Sequence, residues 1–502
     1  MKNLITKHPY YAILILSALI WLIGSIPGIS PVVLKFAAIA FMTVAVGFVI
    51  IFLIRHSTGS SFDFTAFIII AAGFIIRALY VMSVPYNISS HDLGYFPENG
   101  STQVCPGHLG YIGYIYDYRS LPDFDPRTMW SYYNPPGYYI VSAVWYAFNR
   151  LLGFSRETSL ENLQILTLLF STVIVITVYK IMLEFFPKNR TLLLMLGLVS
   201  FFPFFTIIGG TLNNDCLAAM LCLISILFTV RWHRSHSMKN ICIIAIAFGL
   251  GMFTKINNAV AALPIGFIFI YDMLREKSQW KRFLVQFVVF IVICAPVALF
   301  WPVRNAVLYD MPLNYVQKLP DNSTQSIAGI DKLKYIGLPP AGALLEPFIT
   351  LNPETDHNIW LQLVKTSLFD EFSISGQNRT AYIFSLLFMW SGIAMWLASV
   401  ISYIRTFFDR KGLEIEMRLF FAILFLSLTA SIVSFTYSYP FVCTINFRYV
   451  MPLILMPCIS FLSLTNRKGS GKIIQNAVGC FVCVFSVFSL CMSVLMTIIL
   501  GA

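Results

Sequence analysis

Charged residues are scarce in this chain: Asp, Glu, Lys and Arg make up 11% of its 502 residues, where a soluble domain carries roughly a quarter. That shortage, with a mean hydropathy of +0.77, excludes an ordinary water-soluble globule. Also missing are a glycine-rich phosphate loop after a strand, an HExxH helix and a GxSxG elbow, which leaves nucleotide chemistry and zinc proteolysis without support. No Pro-rich tract, low-complexity linker or internal repeat divides the sequence, so residues 1–502 read as a single membrane domain. The ten cysteines fall mostly in apolar segments, and no pair has zinc-ligand spacing inside a polar loop. Cys105 and Cys443 would both lie outside the membrane, where a disulfide between them is open. The net charge of +11 comes from short Lys/Arg clusters between apolar runs. That is the pattern of cytoplasmic loops and not of a nucleic-acid stripe, so no nucleic-acid partner is expected.

What the chain has is apolar length. Hydrophobic residues make up 58% of it, and thirteen runs approach the length of a membrane span. They lie near Ala12–Ile26, Pro31–Ile54, Phe64–Val84, Ile165–Phe185, Thr191–Ile208, Cys216–Trp232, Asn240–Phe253, Ala259–Leu274, Phe283–Phe300, Ala381–Ile404, Met417–Tyr437, Tyr449–Leu464 and Ile474–Leu500. The expected fold is an all-α polytopic membrane protein with about 13 transmembrane helices. Lys2 and Lys7 place the N-terminus in the cytoplasm. Arg55–His56, Lys188–Arg190, Arg231–Lys239, Arg275–Arg282, Arg405–Arg418 and Arg467–Lys472 then all fall on the same side. This parity holds when Gly137–Leu152, entered through Asn134–Pro135–Pro136, is short, tilted or interfacial and does not cross. Residues 1–62 then form an N-terminal helical hairpin, 86–135 a first external loop and 301–380 a second.

The first loop carries His91–Asp92, then His108–Leu109–Gly110–Tyr111, and leaves through Tyr132–Tyr133–Asn134–Pro135–Pro136–Gly137–Tyr138–Tyr139. A carboxylate just beyond a membrane helix, backed by aromatics, can take a proton from a hydroxyl or amide at the bilayer surface. The bland alternative makes Asp92 a helix cap and the tyrosines an interfacial belt. Asp215 opens a helix after Gly209–Gly210–Thr211–Leu212–Asn213–Asn214, where an acid is favoured by capping alone. Lys255 in Thr254–Lys255 can snorkel to water or hold a phosphate. Arg304 follows Trp301–Pro302, and Arg448–Tyr449 lies in a further outer segment. Arginine binds phosphate through two parallel hydrogen bonds and stays charged near lipid. Lys255, Arg304 and Arg448 together put cations on the side that cations usually avoid, which points to an anionic ligand such as a lipid phosphate. Arg77, inside an apolar run, calls for a partner or a water-lined position. Glu371 reads as a solvated loop acid, and His233 and His236 as solvated residues of an inner basic loop.

These elements, in this order from Asp92 to Pro452, resemble the GT-C superfamily of integral-membrane glycosyltransferases. They are most similar to bacterial members resembling the protein O-mannosyltransferase and aminoarabinose transferase families. The resemblance implies a GT-C-type fold with a large catalytic first external loop. It also implies a cell-membrane enzyme, active on the extracytoplasmic face, that moves a sugar from a polyprenyl-phosphate donor with inversion. The acceptor would be a cell-envelope glycan, a lipid or a protein. It makes Asp92 the general base. Arg304, Arg448 and Lys255 would stabilise the phosphate leaving group, and Asp215 would orient Lys255 or the acceptor. His91, His108, Tyr111 and Tyr449 would line the substrate. Family members often have an Asp–Glu pair where this chain has His91–Asp92, and His–Pro–Pro where it has Asn134–Pro135–Pro136. A lipid-linked donor brings its own leaving group, so no cofactor is required, and a divalent metal has no support in the sequence.

Two other readings compete. A transporter or flippase of lipid-linked sugars would show two related halves and helices broken at mid-membrane, and neither pattern is seen in the sequence. A polymerase or ligase of lipid-linked glycans would use the same outer loops and arginines. Membrane lipids are partners under every reading.

Overall fold

A computed structural model of the chain describes residues 62–97, 103–374, 379–409, 412–467 and 471–501. The expected hairpin 1–62, the runs Ala12–Ile26 and Pro31–Ile54, and the cations Lys2, Lys7 and Arg55 fall outside the described residues, apart from Phe62 itself.

Among the described residues the fold is helical, and the one pairing of extended backbone is an isolated bridge between Ser326 and Phe441. In chain order the principal helices are α1 (Phe62–Ser83), α2 (Gly107–Tyr118), α3 (Gly137–Leu151), α4 (Gln164–Phe185), α5 (Arg190–Ser200), α6 (Asp215–Ser235) and α7 (Met238–Thr254). They continue as α8 (Ala262–Arg275), α9 (Trp280–Tyr309), α10 (Ile359–Phe369), α11 (Arg379–Phe408), α12 (Ile415–Ser438), α13 (Leu455–Asn466) and α14 (Lys472–Leu500). Local chemistry sets several of their starts. Side chains of Asn189, Ser237 and Asn358 accept from backbone N–H groups in the first turns of α5, α7 and α10, satisfying donors that a helix leaves open.

Among the described residues eight helices are long and apolar enough to cross a membrane, and nine if the bent pair Val442–Tyr449 and Met451–Asn466 counts as one span. The all-α membrane fold therefore stands, while the count of thirteen is not confirmed, two of those runs lying outside the described residues. Thr191–Ile208 is divided into α5 and a short helix Pro203–Ile208, because a proline there interrupts the backbone ladder. Met238–Thr254 is an apolar helix of 17 residues, shorter than those eight. Gly137–Leu151 is a helix of 15 residues and is not among the candidate spans. It buries Tyr138, Tyr139, Ser142, Tyr146 and Asn149 and exposes Val141, Val144, Phe148 and Leu151. An apolar outer stripe on so short a helix suits the interfacial reading.

The helices gather into two compact units, a first made of Arg77–Thr177 with Ile208–Gln317, and a second made of 62–76, Val178–Ile207 and 318–501. In the first unit, Phe248 of α7 meets Phe290 of α9 and Phe253 meets Phe300, so these helices run in the same direction. Helix α6 runs against them: its last turn meets the start of α9 where the Trp232 indole donates to Gln286 Oε1 at 2.7 Å. Its first residue, Asp215, meets Lys255 at the end of α7. The start of α6 and the ends of α7 and α9 therefore share one end of the unit. At the opposite end, His233 and His236 are not solvated. Both contact the buried Asp272, through His233 Nδ1 at 2.9 Å and His236 Nε2 at 3.0 Å. Burying a carboxylate is costly unless its lone pairs are met, and the two rings meet them.

Candidate active site

The segment that follows α1 is stitched to the helix bundle at its entry. Ser89 Oγ donates to the Gly210 carbonyl at 2.8 Å, and Gln164 Nε2 bridges Ser89 Oγ and the same carbonyl at 2.9 Å each. Thr211 Oγ1 donates to the Ser89 carbonyl and Ser90 Oγ accepts from the Leu212 N–H. These bonds fix residues 84–90 beside the Gly209–Asp215 turn, just before the chain reaches His91 and Asp92.

Asp92 is exposed, and its backbone is in the left-handed region at φ +56°. Its own carbonyl and that of the next residue are clamped. The carbonyls of Asp92 and Leu93 accept from His108 N–H at 3.4 Å and Leu109 N–H at 2.9 Å, in the first turn of α2. Gly94 and Gly107 make the approach possible. Both have positive φ, and a Cβ on Gly94 would lie 1.8 Å from the Pro106 carbonyl oxygen. A non-glycine residue held at positive φ costs energy and persists only where its surroundings enforce it. Here the α2 N-terminus enforces it, and the carboxylate is left facing solvent beside a half-buried His91.

Behind this loop the tyrosines form a packed stack and not an interfacial belt. Tyr111, Tyr132, Tyr138 and Tyr139 are all fully buried. Tyr111 stacks on Tyr139 at 4.1 Å and on Tyr132 at 4.5 Å, and His108 Nδ1 lies 2.9 Å from the Tyr139 hydroxyl. Burial, with Tyr132 next, pushes the Tyr111 phenol well above its usual range, so it stays neutral. The stack ends on Trp301 of α9, 6.5 Å from Tyr111, whose indole donates to the Tyr133 carbonyl at 3.1 Å.

Trp301 carries Arg304. The guanidinium sits 4.9 Å from the Trp301 ring and donates to Asn305 Oδ1 at 2.8 Å and to the Pro122 carbonyl. Every one of these partners is neutral, and Arg304 makes no ion pair among the described residues. Lys255 is different. Its ammonium pairs with Asp215 Oδ1, and the neighbouring Asn214 amide donates to the Thr254 carbonyl at 3.1 Å. Neither group is fully solvated, so this is an internal ion pair and not a snorkelling lysine. Asp92, His91, His108, Tyr111, Asp215, Lys255 and Arg304 thus belong to one unit, and the bundle's direction puts Asp215, Lys255 and Arg304 at the same end of it. Arg77 lies fully buried within α1.

Arg448 and Tyr449 belong to the second unit. Arg448 lies 3.5 Å from Glu371 Oε1 and donates to the Tyr449 hydroxyl at 3.2 Å. Asn446 donates to both Asp370 Oδ1 at 2.8 Å and Glu371 Oε1 at 3.0 Å. Glu371 is therefore not a solvated loop acid, and Asp370 is buried at φ +52°. Sequence reasoning passed over Asp370 and Asn446, since nothing in their spacing links positions 76 residues apart. Cys105 belongs to the first unit and Cys443 to the second.

The model of the family described as dolichyl-phosphate-mannose-protein mannosyltransferase matches residues 136–301, a third of the chain. Over that stretch the resemblance to membrane glycosyltransferases is borne out. No curated protein matches. Among solved structures, the Archaeoglobus fulgidus oligosaccharyltransferase tethered with an acceptor peptide is similar at 11% identity and a TM-score of 0.44, over 88% of this chain and 56% of that one. ArnT from Cupriavidus metallidurans bound to undecaprenyl phosphate is similar at 12% identity and a TM-score of 0.40, over 88% and 77%. The chain spans little more than half the length of the archaeal protein.

Proposed function

We propose that this chain is an inverting glycosyltransferase that moves a sugar from a polyprenyl-phosphate donor to a glycan, lipid or protein acceptor on the extracytoplasmic side. The observation that carries the reading is Arg304. It is a cation with only neutral partners, fixed on an aromatic platform in the same unit as the exposed, clamped Asp92. A guanidinium so placed keeps its charge available for an anion. The matched family segment ends at position 301, three residues before it.

In the proposed reaction an acceptor hydroxyl oxygen bonds to the anomeric carbon from the face opposite the phosphate. Asp92 takes the hydroxyl proton as general base. The bond between that carbon and the phosphate oxygen breaks, and its electron pair leaves with the polyprenyl phosphate. Charge grows on the leaving oxygen, and donors already fixed in place stabilise it without reorganising. Arg304 is assigned that role. Lys255, already neutralised by Asp215, is assigned the positioning of the α6–α7 junction. His91, His108 and Tyr111 are assigned to the substrate surroundings, with His108 and Tyr111 acting through the loop they support. The scheme routes no step through a metal.

The test is Asp92→Asn in the purified protein, supplied with lipid-phosphate sugars. Because Asp92 is exposed, the variant is expected to keep its unfolding temperature and donor binding while transfer is lost. Transfer at the parent rate would overturn the assignment.

A further inference from the structure

The segment after the Ser326 bridge leaves apolar side chains in the open. Lys332–Ile336 is a short helix capped by Asp331, whose Oδ1 accepts from the Leu333 N–H at 3.0 Å. Tyr335 turns inward, fully buried, and donates to the Ile327 carbonyl at 2.7 Å. Its neighbours turn outward: Leu333 is 71% exposed, Leu338 93% and Leu345 63%. No charged residue interrupts the chain between Lys334 and Glu346. A single exposed leucine is ordinary. Three in so short a stretch, with Lys332 and Lys334 at its start and Glu346 at its end, call for something that covers them.

The height of this segment identifies the cover. Tyr437, next to the last residue of the span α12, donates its hydroxyl to the Lys332 carbonyl at 2.9 Å. Tyr382, in the first turn of the span α11, donates to the Leu345 carbonyl at 2.6 Å. Both ends of the segment are therefore fastened to the terminal turns of membrane-crossing helices, where the hydrocarbon gives way to headgroups. The half-open Trp360 donates its indole N–H to the Ile336 carbonyl at 2.8 Å. Tyrosine and tryptophan favour that level, with one end apolar and the other wet. The exposed Lys332 and Lys334 add charge that suits anionic headgroups.

We propose that residues 332–345 form an in-plane anchor that inserts Leu333, Leu338 and Leu345 into the adjoining lipid leaflet. An apolar face of this kind settles about 5–10 Å into the boundary between headgroups and acyl chains. The lysines remain at the headgroups, and the fastenings to Tyr382 and Tyr437 hold the anchor at one depth.

The experiment uses the full chain in lipid nanodiscs containing anionic lipid. An environment-sensitive fluorescent amino acid is placed by codon suppression at position 338, and separately at 345, which avoids the native cysteines. A control label replaces Asp321, whose side chain is 86% exposed. At 338 and 345, emission is expected to shift to the blue, to be quenched by lipids brominated near the ester, and to resist aqueous iodide. The label at 321 is expected to do the reverse. Quenching of 338 by iodide and not by bromolipid would overturn the anchor in favour of a solvated surface. Protection from both quenchers would overturn it in favour of a protein cover, whether an acceptor chain or a second copy.

Discussion

Replacing Gly94 by alanine tests whether the position of Asp92 depends on the backbone clamp beneath it. The added methyl would lie 1.8 Å from the Pro106 carbonyl oxygen, 2.6 Å from its carbon and 2.7 Å from Gly107 Cα. All three are backbone atoms, so no side chain can swing aside. Relief requires the loop and the start of α2 to part by about 1 Å, at an overpacking cost of roughly 1–3 kcal/mol. Alanine at φ +65° adds about 1–2 kcal/mol of backbone strain. Together these match or exceed what two backbone hydrogen bonds return, at about 1 kcal/mol each. The bonds from His108 N–H and Leu109 N–H to the Asp92 and Leu93 carbonyls are therefore expected to break, and Asp92 to move. A displacement near 1 Å at a reacting group costs about 100-fold in rate. The assay is sugar release from a polyprenyl-phosphate donor. The drop is expected in kcat, with the donor KM kept, because Arg304 stands on α9 and is untouched. Gly153→Ala is the matched control: its φ is +85° with no atom within 4 Å of the new methyl, so it carries strain without the clash. Equal activity in Gly94→Ala and Gly153→Ala, both near the parent, would refute the claim that the clamp sets the geometry.

Arg304→Ala is expected to raise the donor Kd by at least about tenfold, one charge-assisted phosphate contact at 1.5 kcal/mol or more, while unfolding moves little; unchanged affinity in titration calorimetry would remove its phosphate role. Asp215→Asn or Lys255→Met alone is expected to cost about 3 kcal/mol, because each strands an ion that is largely removed from water. The double replacement should recover part of that loss in denaturant melts, and additive losses would show that the two groups are not coupled. Lys365 gives a pH signature. Its side chain is fully buried 3.6 Å from Asp356, and burial, opposed by Asp356, holds the amine below the ordinary lysine value of 10.5. The folded chain then binds fewer protons there than the unfolded one, so stability rises with pH between the lowered value and 10.5 and is lost below that window. Lys365→Met should flatten the profile in that window, and superimposable profiles would count against a buried amine.

The parts of the fold that depend on runs along the chain were legible in the sequence. Spans such as Asp215–Ser235 and Lys472–Leu500 follow from apolar length. The short Gly137–Leu151 helix followed from the requirement that every basic cluster share one side. What was not legible depends on pairings between distant positions. Lys255 reads alike as a snorkelling amine, a phosphate ligand or an ion-pair partner, and the choice rests on Asp215, 40 residues away. The neutrality of Arg304's surroundings rests on the Pro122 carbonyl, 182 residues away. Glu371 looked solvated as an acid in a loop, and His233 and His236 as members of a basic cluster. Their burial comes from Asn446, Arg448 and Asp272, which spacing does not encode. The tyrosines show the same limit: a row of them beside a membrane run suits a belt, and only packing against Trp301 turns the row into a stack.

Positive φ separates acids held for a reason from residues that merely end a helix. Arg119, His236 and Asp310 take left-handed backbone as C-caps of α2, α6 and α9, a use of that conformation common to many helices. Asp92 ends no helix. Its φ of +56° is held through its backbone carbonyl, which accepts from the His108 N–H, so the strained backbone presents the carboxylate and does not engage it. Asp370 closes α10 with φ +52° and ψ −133°, outside the usual cap geometry, and its carboxylate is engaged by Asn446. The two acids therefore represent opposite arrangements. Strain at Asp370 accompanies a carboxylate bound into the protein, which suits a structural support for Glu371 and Arg448. Strain at Asp92 accompanies a carboxylate left open to solvent, the condition a general base must meet before an acceptor arrives.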